Sequence, residues 1–314
     1  MSLFRAALAV AESEGDGPVD WNAVGSAART ATDPGDLTLS AADRDGYAAD
    51  VADARDGIRA AAGVDFELPE TVQVQNRHHW IDANVDTFRR LLGPLESTST
   101  VVPSLARTAN TGSMAVTLGF LANNVLGQYD PLLLGDGDHG LYFVHPNIVA
   151  IADALDVDGE RFRRWIAFHE VAHAAEFGTA PWLSEHLERH MTDIVDELVA
   201  GRFDREALSE LNATMTAVEG YAELVMDRAF DREYADLREK LDDRRRNVGP
   251  VSRIVRRLLG FGMKRRQYER GKAFFDAVAD ERGVAGAAAV WESPQNLPTD
   301  AELDDPAEWL VRVA

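Results

Sequence analysis

Hydrophobic residues recur at helical spacing along most of the chain. Ser40 is followed three residues later by Asp43, which is the pattern of a helix N-terminal capping box, and Gly63 provides a stop signal. Amphipathic spacing predicts a further helix over about 77–92, and the apolar run 112–126 predicts a buried one. The first part of the chain is therefore predicted to be helical, like most of the rest.

Two short segments break this helical pattern. Residues 72–74 and 141–144 are rich in β-branched and aromatic side chains, which indicates strands. Beyond them the spacing again predicts long helices, over about 158–177, 181–199 and 205–230. The predicted fold class is mainly α, with a small β element before the 158–177 helix and an N-terminal helical extension.

This distribution of elements also predicts the domain organisation. Residues 1–66 are expected to form an N-terminal helical segment that carries no recognisable chemistry, and residues 67–314 a larger domain with C-terminal helices. The apolar run 6–11 is too short for a secretory signal, and no stretch reaches the roughly 18 apolar residues of a membrane span. We therefore expect a cytoplasmic protein without a membrane span.

The charge of the chain indicates the kind of environment it suits and the kinds of partner it disfavours. Its formal net charge is -21 and it contains only three lysines, a composition that suits a salt-filled cytoplasm in which self-repulsion is screened. We interpret the acidity as halophilic adaptation, and it argues against nucleic-acid binding. The basic residues of 244–272 form an exception, which we interpret as helix faces covering acidic parts of the fold, with an anion-recognition surface as the alternative.

The segment His169-Glu170-Val171-Ala172-His173 has the HExxH spacing on the helix that Asp158 is expected to cap. Residues four apart share one helical face, so His169 and His173 can bind one zinc ion. Glu170 lies beside the metal, where it can take a proton from a zinc-bound water and return it to the leaving group. The absence of cysteine excludes thiolate ligands.

The surroundings of the two histidines support a metal site. At 100° per residue, they share a face with the apolar residues Phe162, Trp165 and Ile166. Histidines on an inward apolar face need polar partners. The alternative is a pair of core histidines that bond backbone carbonyls.

A zincin needs a third ligand, and several residues are candidates. The extended HExxHxxGxxH pattern fails, because Glu176 occupies its glycine position and Thr179 its histidine position. His186 and His190 share their helix face with acidic residues and are interpreted as surface histidines.

Carboxylates on the 205–230 helix are the better candidates. Glu219 and Glu223 lie on an apolar face of this helix, where a carboxylate needs a cation or a shared proton. We predict that Glu219 is the third ligand and that Glu223 orients a ligand histidine, with Glu223 itself as the alternative ligand. Asp227 is a weaker candidate for an outer position.

The chain resembles a zincin-like family of hydrolases found in archaea and actinobacteria and associated with biosynthesis of the deazaflavin coenzyme. The resemblance covers about residues 70–314. It implies a helix-rich zincin-like fold with Glu219 at the third-ligand position. The segments that carry it are Leu141–Asn147, Trp165–His173, Glu219–Glu223, Lys264–Gly271, and Asp305-Pro306 with Trp309.

The leading functional hypothesis is a gluzincin-like metallopeptidase or related amide hydrolase with one zinc ion per chain. Its substrate would contain a peptide or amide bond, and an extended substrate could pair with Leu141–Val144 as an edge strand. One alternative is a non-catalytic zinc-binding protein that acts in a partner complex. Another is a helical di-iron carboxylate protein, because Glu170 and His173 form an ExxH pair, although such sites need two of these motifs.

Overall fold

The computed structural model describes residues 6, 10, 17–69, 71–92, 103–130, 140–230, 237, 240 and 265–313. The helices with defined bounds are α1 (Trp21–Ala31), α2 (Ala41–Ala62), α3 (Arg77–Leu91), α4 (Pro103–Ala122), α5 (His145–Leu155), α6 (Gly159–Thr179), α7 (Leu183–Val199), α8 (Arg205–Ala229), α9 (Arg265–Ala287) and α10 (Pro306–Arg312), with short 3-10 helices at Ala288–Trp291 and Pro294–Asn296. The strands are β1 (Thr71–Gln75), β2 (Gly127–Asp130) and β3 (Gly140–Val144). The mainly α prediction is confirmed.

Side-chain caps fix the ends of the helices where the sequence predicts them. Ser40 and Asp43 form the reciprocal capping box of α2, and Gly63 ends the helix in the left-handed conformation at φ 68°. Asp158 caps α6 by accepting a hydrogen bond of 2.8 Å from the Arg161 N–H. The register of α6, which carries the HExxH segment, is thus set locally at its first turn.

The three strands form one small sheet in the order β1-β3-β2. Strand β3 pairs in parallel with β1 and antiparallel with β2, so both of its edges are occupied. The expectation that Leu141–Val144 is an edge strand is therefore wrong. The near-continuous burial of β3 is typical of a central strand, but its pairing with β1 is a long-range contact that no local pattern reveals.

Two clusters of buried apolar side chains form the core between the helices and the sheet. The larger one surrounds α6 and includes residues of α2, α8 and α9, such as Ile58, Leu224 and Phe275. The smaller one joins α1, α3 and α4 around Trp21 and Leu118. Helix α2 therefore packs in the same core as α6, while the domain boundary near residue 66 stays a prediction.

Some sequence predictions fall outside the described residues. These are most of the apolar run 6–11 and the greater part of the basic segment 244–272. Within the described parts of the chain, every helix is too short or too polar to cross a lipid bilayer.

The structure describes the side chains of two basic residues of that segment, and both contact acids of the same chain. Arg270 forms ion pairs with Asp300 and Asp304. Lys272 contacts Asp227 and the adjacent turn of its own helix. For these two residues, the interpretation as basic groups covering acidic parts of the fold is confirmed.

Candidate metal centre

Helix α6 brings the two HExxH histidines together. His169 and His173 lie one turn apart, and their Nε2 atoms face each other at 3.3 Å. Two imidazole nitrogens on a tetrahedral zinc ion, each about 2.0 to 2.1 Å from it, lie about 3.4 Å apart. The separation of the nitrogens therefore matches that of two ligands on one ion.

Glu219 completes the group from helix α8. One donor atom from each of His169, His173 and Glu219 lies within 4.8 Å of the other two. The Oε2 atom of Glu219 is buried and has no hydrogen-bond partner among the described residues. A buried carboxylate oxygen is costly unless a cation or a donor satisfies it. The three residues therefore fit a divalent metal ion.

Glu176 holds the ring of His173. The Nδ1–H of His173 donates to Glu176 Oε2 at 2.8 Å, and the Glu176 side chain is fully buried. This bond leaves the Nε2 lone pair of His173 free for a metal and fixes the ring orientation. Sequence reasoning considered Glu176 only as a departure from the extended motif, although its position three residues after His173 places it on the same helical face.

The charges around His173 favour a cation. Burial by itself lowers the pKa of His173, but the carboxylates of Glu176, Glu219 and Glu170 together raise it above the usual value. Burial also raises the pKa of Glu176 to about 7. Without a metal ion, a proton on His173 therefore supplies positive charge, and metal binding displaces such a proton from a ligand nitrogen.

The side chain of Glu170 joins α6 to the edge strand β2. Its Oε2 accepts a 2.8 Å hydrogen bond from the Tyr129 N–H of β2. Gly127 makes this approach possible, because a Cβ at this position would lie 2.6 Å from Glu170 Oε1. Burial raises the pKa of the Glu170 carboxyl to about 7, although His173 and the Tyr129 N–H oppose the shift. Such a carboxyl can exchange protons near neutral pH.

A close helix crossing positions Glu219. Gly220 on α8 meets Gly271 on α9 so closely that a Cβ at Gly220 would lie 2.5 Å from the Gly271 carbonyl carbon. A Cβ at Gly271 would lie 2.4 Å from the backbone carbonyl oxygen of Thr216. Only glycine permits this distance between the backbones, and the crossing fixes the turn of α8 that carries the third candidate ligand.

The remaining carboxylates on α8 have different surroundings. Glu223 is buried, with 6% of its surface exposed, one turn beyond Glu219. Its role in orienting a histidine stays a prediction, since the contact that the structure shows at His173 comes from Glu176. Asp227 forms an ion pair with Lys272 at 2.7 Å.

His186 and His190 form a separate pair on α7. Their ring centroids lie 4.3 Å apart, and both residues are half-buried. Burial and the neighbouring His190 lower the pKa of His186 to about 4. Within the described residues, the cluster of side chains that could hold a metal contains His169, His173 and Glu219, and does not include this pair.

Comparison with known proteins agrees with this geometry. A profile of the zincin-like metallopeptidase family matches residues 19–202 and 197–310. The chain is also similar to a crystal structure from Chloroflexus aurantiacus that is described as a candidate hydrolase with a novel fold. The two proteins share 30% sequence identity, and their structures superpose with a TM-score of 0.74. The match covers 99% of this chain and 97% of that one. No match is found among curated proteins. The chain belongs to the zincin-like metallopeptidase family.

Proposed function

We propose that this protein is a zinc-dependent hydrolase of peptide or related amide bonds, with one zinc ion held by His169, His173 and Glu219. The observation that carries the proposal is the convergence of two Nε2 atoms and a half-buried carboxylate, whose Oε2 atom is buried, with Glu170 beside them. Family membership supports zinc as the metal and hydrolysis as the class of reaction.

In this proposal Glu170 acts first as the general base and then as the general acid. Zinc, when bound, polarises the substrate carbonyl and lowers the pKa of water toward neutrality. Glu170 accepts a proton from the attacking water and then donates it to the leaving amine, so the carboxylate is restored after each cycle. The Tyr129 N–H holds the Glu170 side chain in place, and Glu176 keeps the His173 ring in one orientation.

The sheet suggests how a peptide substrate is presented. Strand β2 is at the edge of the sheet, and its residues Gly127 and Tyr129 contact Glu170. An extended peptide that lies beside β2 would be next to the proposed base, although the Tyr129 N–H is already used by Glu170. This assignment replaces β3 as the strand beside the substrate.

The test is the variant Glu170→Gln. Glutamine retains an oxygen that can accept from the Tyr129 N–H but cannot take up a proton, so turnover should fall by about 10²- to 10⁴-fold. Zinc content should stay at one ion per chain, because Glu170 is not a ligand in this account. Glu206→Gln, which changes an exposed residue in the first turn of α8, is the matched control.

The assay is cleavage of a peptide library by zinc-loaded protein in high salt, together with metal analysis. Wild-type turnover by Glu170→Gln would contradict the proposed base. Loss of zinc from the variant would make Glu170 a ligand and favour the di-iron carboxylate alternative. A zinc-loaded wild-type protein that cleaves no amide substrate would favour a non-catalytic zinc-binding role. The association with deazaflavin biosynthesis, which the family resemblance implies, stays a prediction.

A further inference from the structure

A second pair of histidines one helical turn apart lies outside the metal centre. His186 and His190 are on α7, and their ring centroids are 4.3 Å apart. In the metal centre, the ring centroids of His169 and His173 are 4.7 Å apart. The spacing that lets two imidazoles bind one ion is therefore present twice, on consecutive helices.

The two imidazoles on α7 are accessible and partly held in place. Both residues are half-buried, so their rings can be reached from solvent. The Trp182 ring packs edge-on against His186 with a centroid distance of 5.7 Å, and Trp182 Nε1 donates to the backbone carbonyl of Trp291 at 3.0 Å. Burial and the neighbouring His190 lower the pKa of His186 to about 4, so at neutral pH its ring is uncharged and has a lone pair for a metal ion.

Helix α8 places a carboxylate beside this pair. The Oε2 atom of Glu210 is 3.7 Å from Nδ1 of His190, which is close to the separation of two ligand atoms on one zinc ion. In the conformation of the structure, donor atoms of His186, His190 and Glu210 do not all lie within 4.8 Å of one another. The Glu210 side chain is 58% exposed, so it can rotate toward His186 without disturbing the core.

These three residues are separate from the metal centre. Glu210 precedes Glu219 by nine residues on α8, which places the two residues roughly 13 Å apart along the helix axis. Two ions that act together on one substrate lie only about 3.5 to 4 Å apart. An ion bound by His186, His190 and Glu210 is therefore not the second member of a dinuclear centre, and it joins α7 to α8.

The charges beside the pair both favour and oppose a cation. Glu210 and the exposed Asp193, which follows His190 by three residues on α7, provide negative charge. Opposing them, a terminal nitrogen of Arg189 lies 3.4 Å from Nδ1 of His186. A guanidinium group can only donate, so it competes with a metal ion for this nitrogen. Arg189 is exposed and can turn toward solvent, but its competition weakens the binding of an ion.

We propose that His186, His190 and Glu210 form a second, exchangeable site for zinc or a similar divalent transition-metal ion. The two imidazoles bind the ion, Glu210 rotates to provide a carboxylate oxygen, and Arg189 turns away. Imidazole ligands suit zinc, whereas Ca²⁺ takes six to eight oxygen ligands. Because the carboxylate is exposed and the arginine competes, this ion leaves on dialysis, and the dialysed protein keeps the one ion of the proposed metal centre.

The probe is Zn²⁺, titrated by isothermal calorimetry into the full-length protein after dialysis against zinc-free buffer. The buffer contains multimolar KCl and an excess of Ca²⁺, which screen and occupy the acidic surface without taking imidazole ligands. We expect the wild type to bind one more ion per chain than the double variant His186→Ala, His190→Ala. This difference counts the ions at the pair alone, so it does not depend on the metal centre or on hydrolysis.

Single substitutions test the individual contacts. His190→Ala and Glu210→Gln should each bind the additional ion at least about tenfold more weakly, because a direct ligand matters more than an outer residue. The matched controls are His79→Ala on α3 and Glu281→Gln on α9, both at exposed positions, and they should bind it like the wild type. Arg189→Gln should bind it more tightly, because the substitution removes a positive charge beside the ion.

Several results would overturn the proposal. Equal numbers of bound ions in the wild type and the double histidine variant would show that the pair holds no metal. Unchanged affinity in Glu210→Gln would contradict the carboxylate ligand, and unchanged or weaker binding by Arg189→Gln would contradict the place assigned to the ion. Far-UV circular dichroism at the wild-type helix content shows that a variant is folded, so weaker binding then reports on the lost ligand.

Discussion

The crossing of α8 and α9 makes Gly220→Ala a sensitive test of how the third ligand is placed. The added Cβ would lie 2.5 Å from the Gly271 carbonyl carbon, where ordinary contacts begin near 3.4 Å. The helices must then separate by about 1 Å, and such overpacking lowers the free energy of unfolding by about 1 to 3 kcal/mol. The better helix propensity of alanine offsets about 1 kcal/mol of this loss. Because Glu219 is the adjacent residue, this displacement also moves its carboxylate.

Metal coordination tolerates a smaller shift than this. Ligand distances must hold to within about 0.2 Å, so a 1 Å displacement of Glu219 should lower zinc affinity by at least about tenfold. The assay is competition for zinc against a fluorescent chelator, with denaturant unfolding of the zinc-loaded and zinc-free protein. The variant should lose stability in both forms and should lose more when zinc is present.

The matched control for this substitution is Gly159→Ala in the first turn of α6. A Cβ at Gly159 meets no atom within 4 Å, so this change should leave zinc affinity unaltered. It should change stability by less than about 1 kcal/mol. If Gly220→Ala kept both the stability and the zinc affinity of the wild type, the crossing would not position Glu219 and the reasoning would be refuted.

Two further predictions concern the charges of the molecule. Glu176→Leu should lower zinc affinity by about 10- to 100-fold because the His173 ring loses the acceptor that orients it. Glu176→Gln keeps an acceptor oxygen, so its zinc affinity should fall less. Competition with a chelator measures both affinities, and equal losses would show that the acceptor oxygen does not orient the ring. The protein, with its net charge of -21, should melt at a markedly higher temperature in multimolar KCl than in low salt. The reason is that the Debye length falls to about 3 Å at 1 M salt, so the carboxylates no longer repel one another strongly. An unchanged melting temperature would contradict the halophilic interpretation.

Features that depend on local spacing were predicted from the sequence. The capping residues of α2 and α6 lie where the pattern placed them, because caps involve residues only three or four apart. The pairing of His169 with His173 follows from helix geometry alone. Glu219 was predicted as a ligand because a carboxylate on an apolar helix face needs a positive partner, and the structure places it beside the two histidines.

Features that depend on long-range contacts were not predicted. The order of the sheet follows from pairing between β1 and β3, which are about 70 residues apart in the chain, so β3 was mistaken for an edge strand. The contact between Tyr129 and Glu170 has the same origin. The contact of Glu176 with His173 is a different case, because residues three apart share a helix face and the contact is therefore local.

Zinc retention after dialysis, measured by metal analysis of purified variants, tests the central claim most directly. A direct metal ligand should matter more than an outer residue, whose loss lowers affinity by about 10- to 100-fold. We predict that Glu219→Ala loses zinc, that Glu223→Ala holds it more weakly, and that the double variant His186→Ala, His190→Ala retains it at the wild-type level. If the double histidine variant lost the metal while Glu219→Ala kept it, the metal centre would be built from histidines and the assignment of Glu219 would be contradicted.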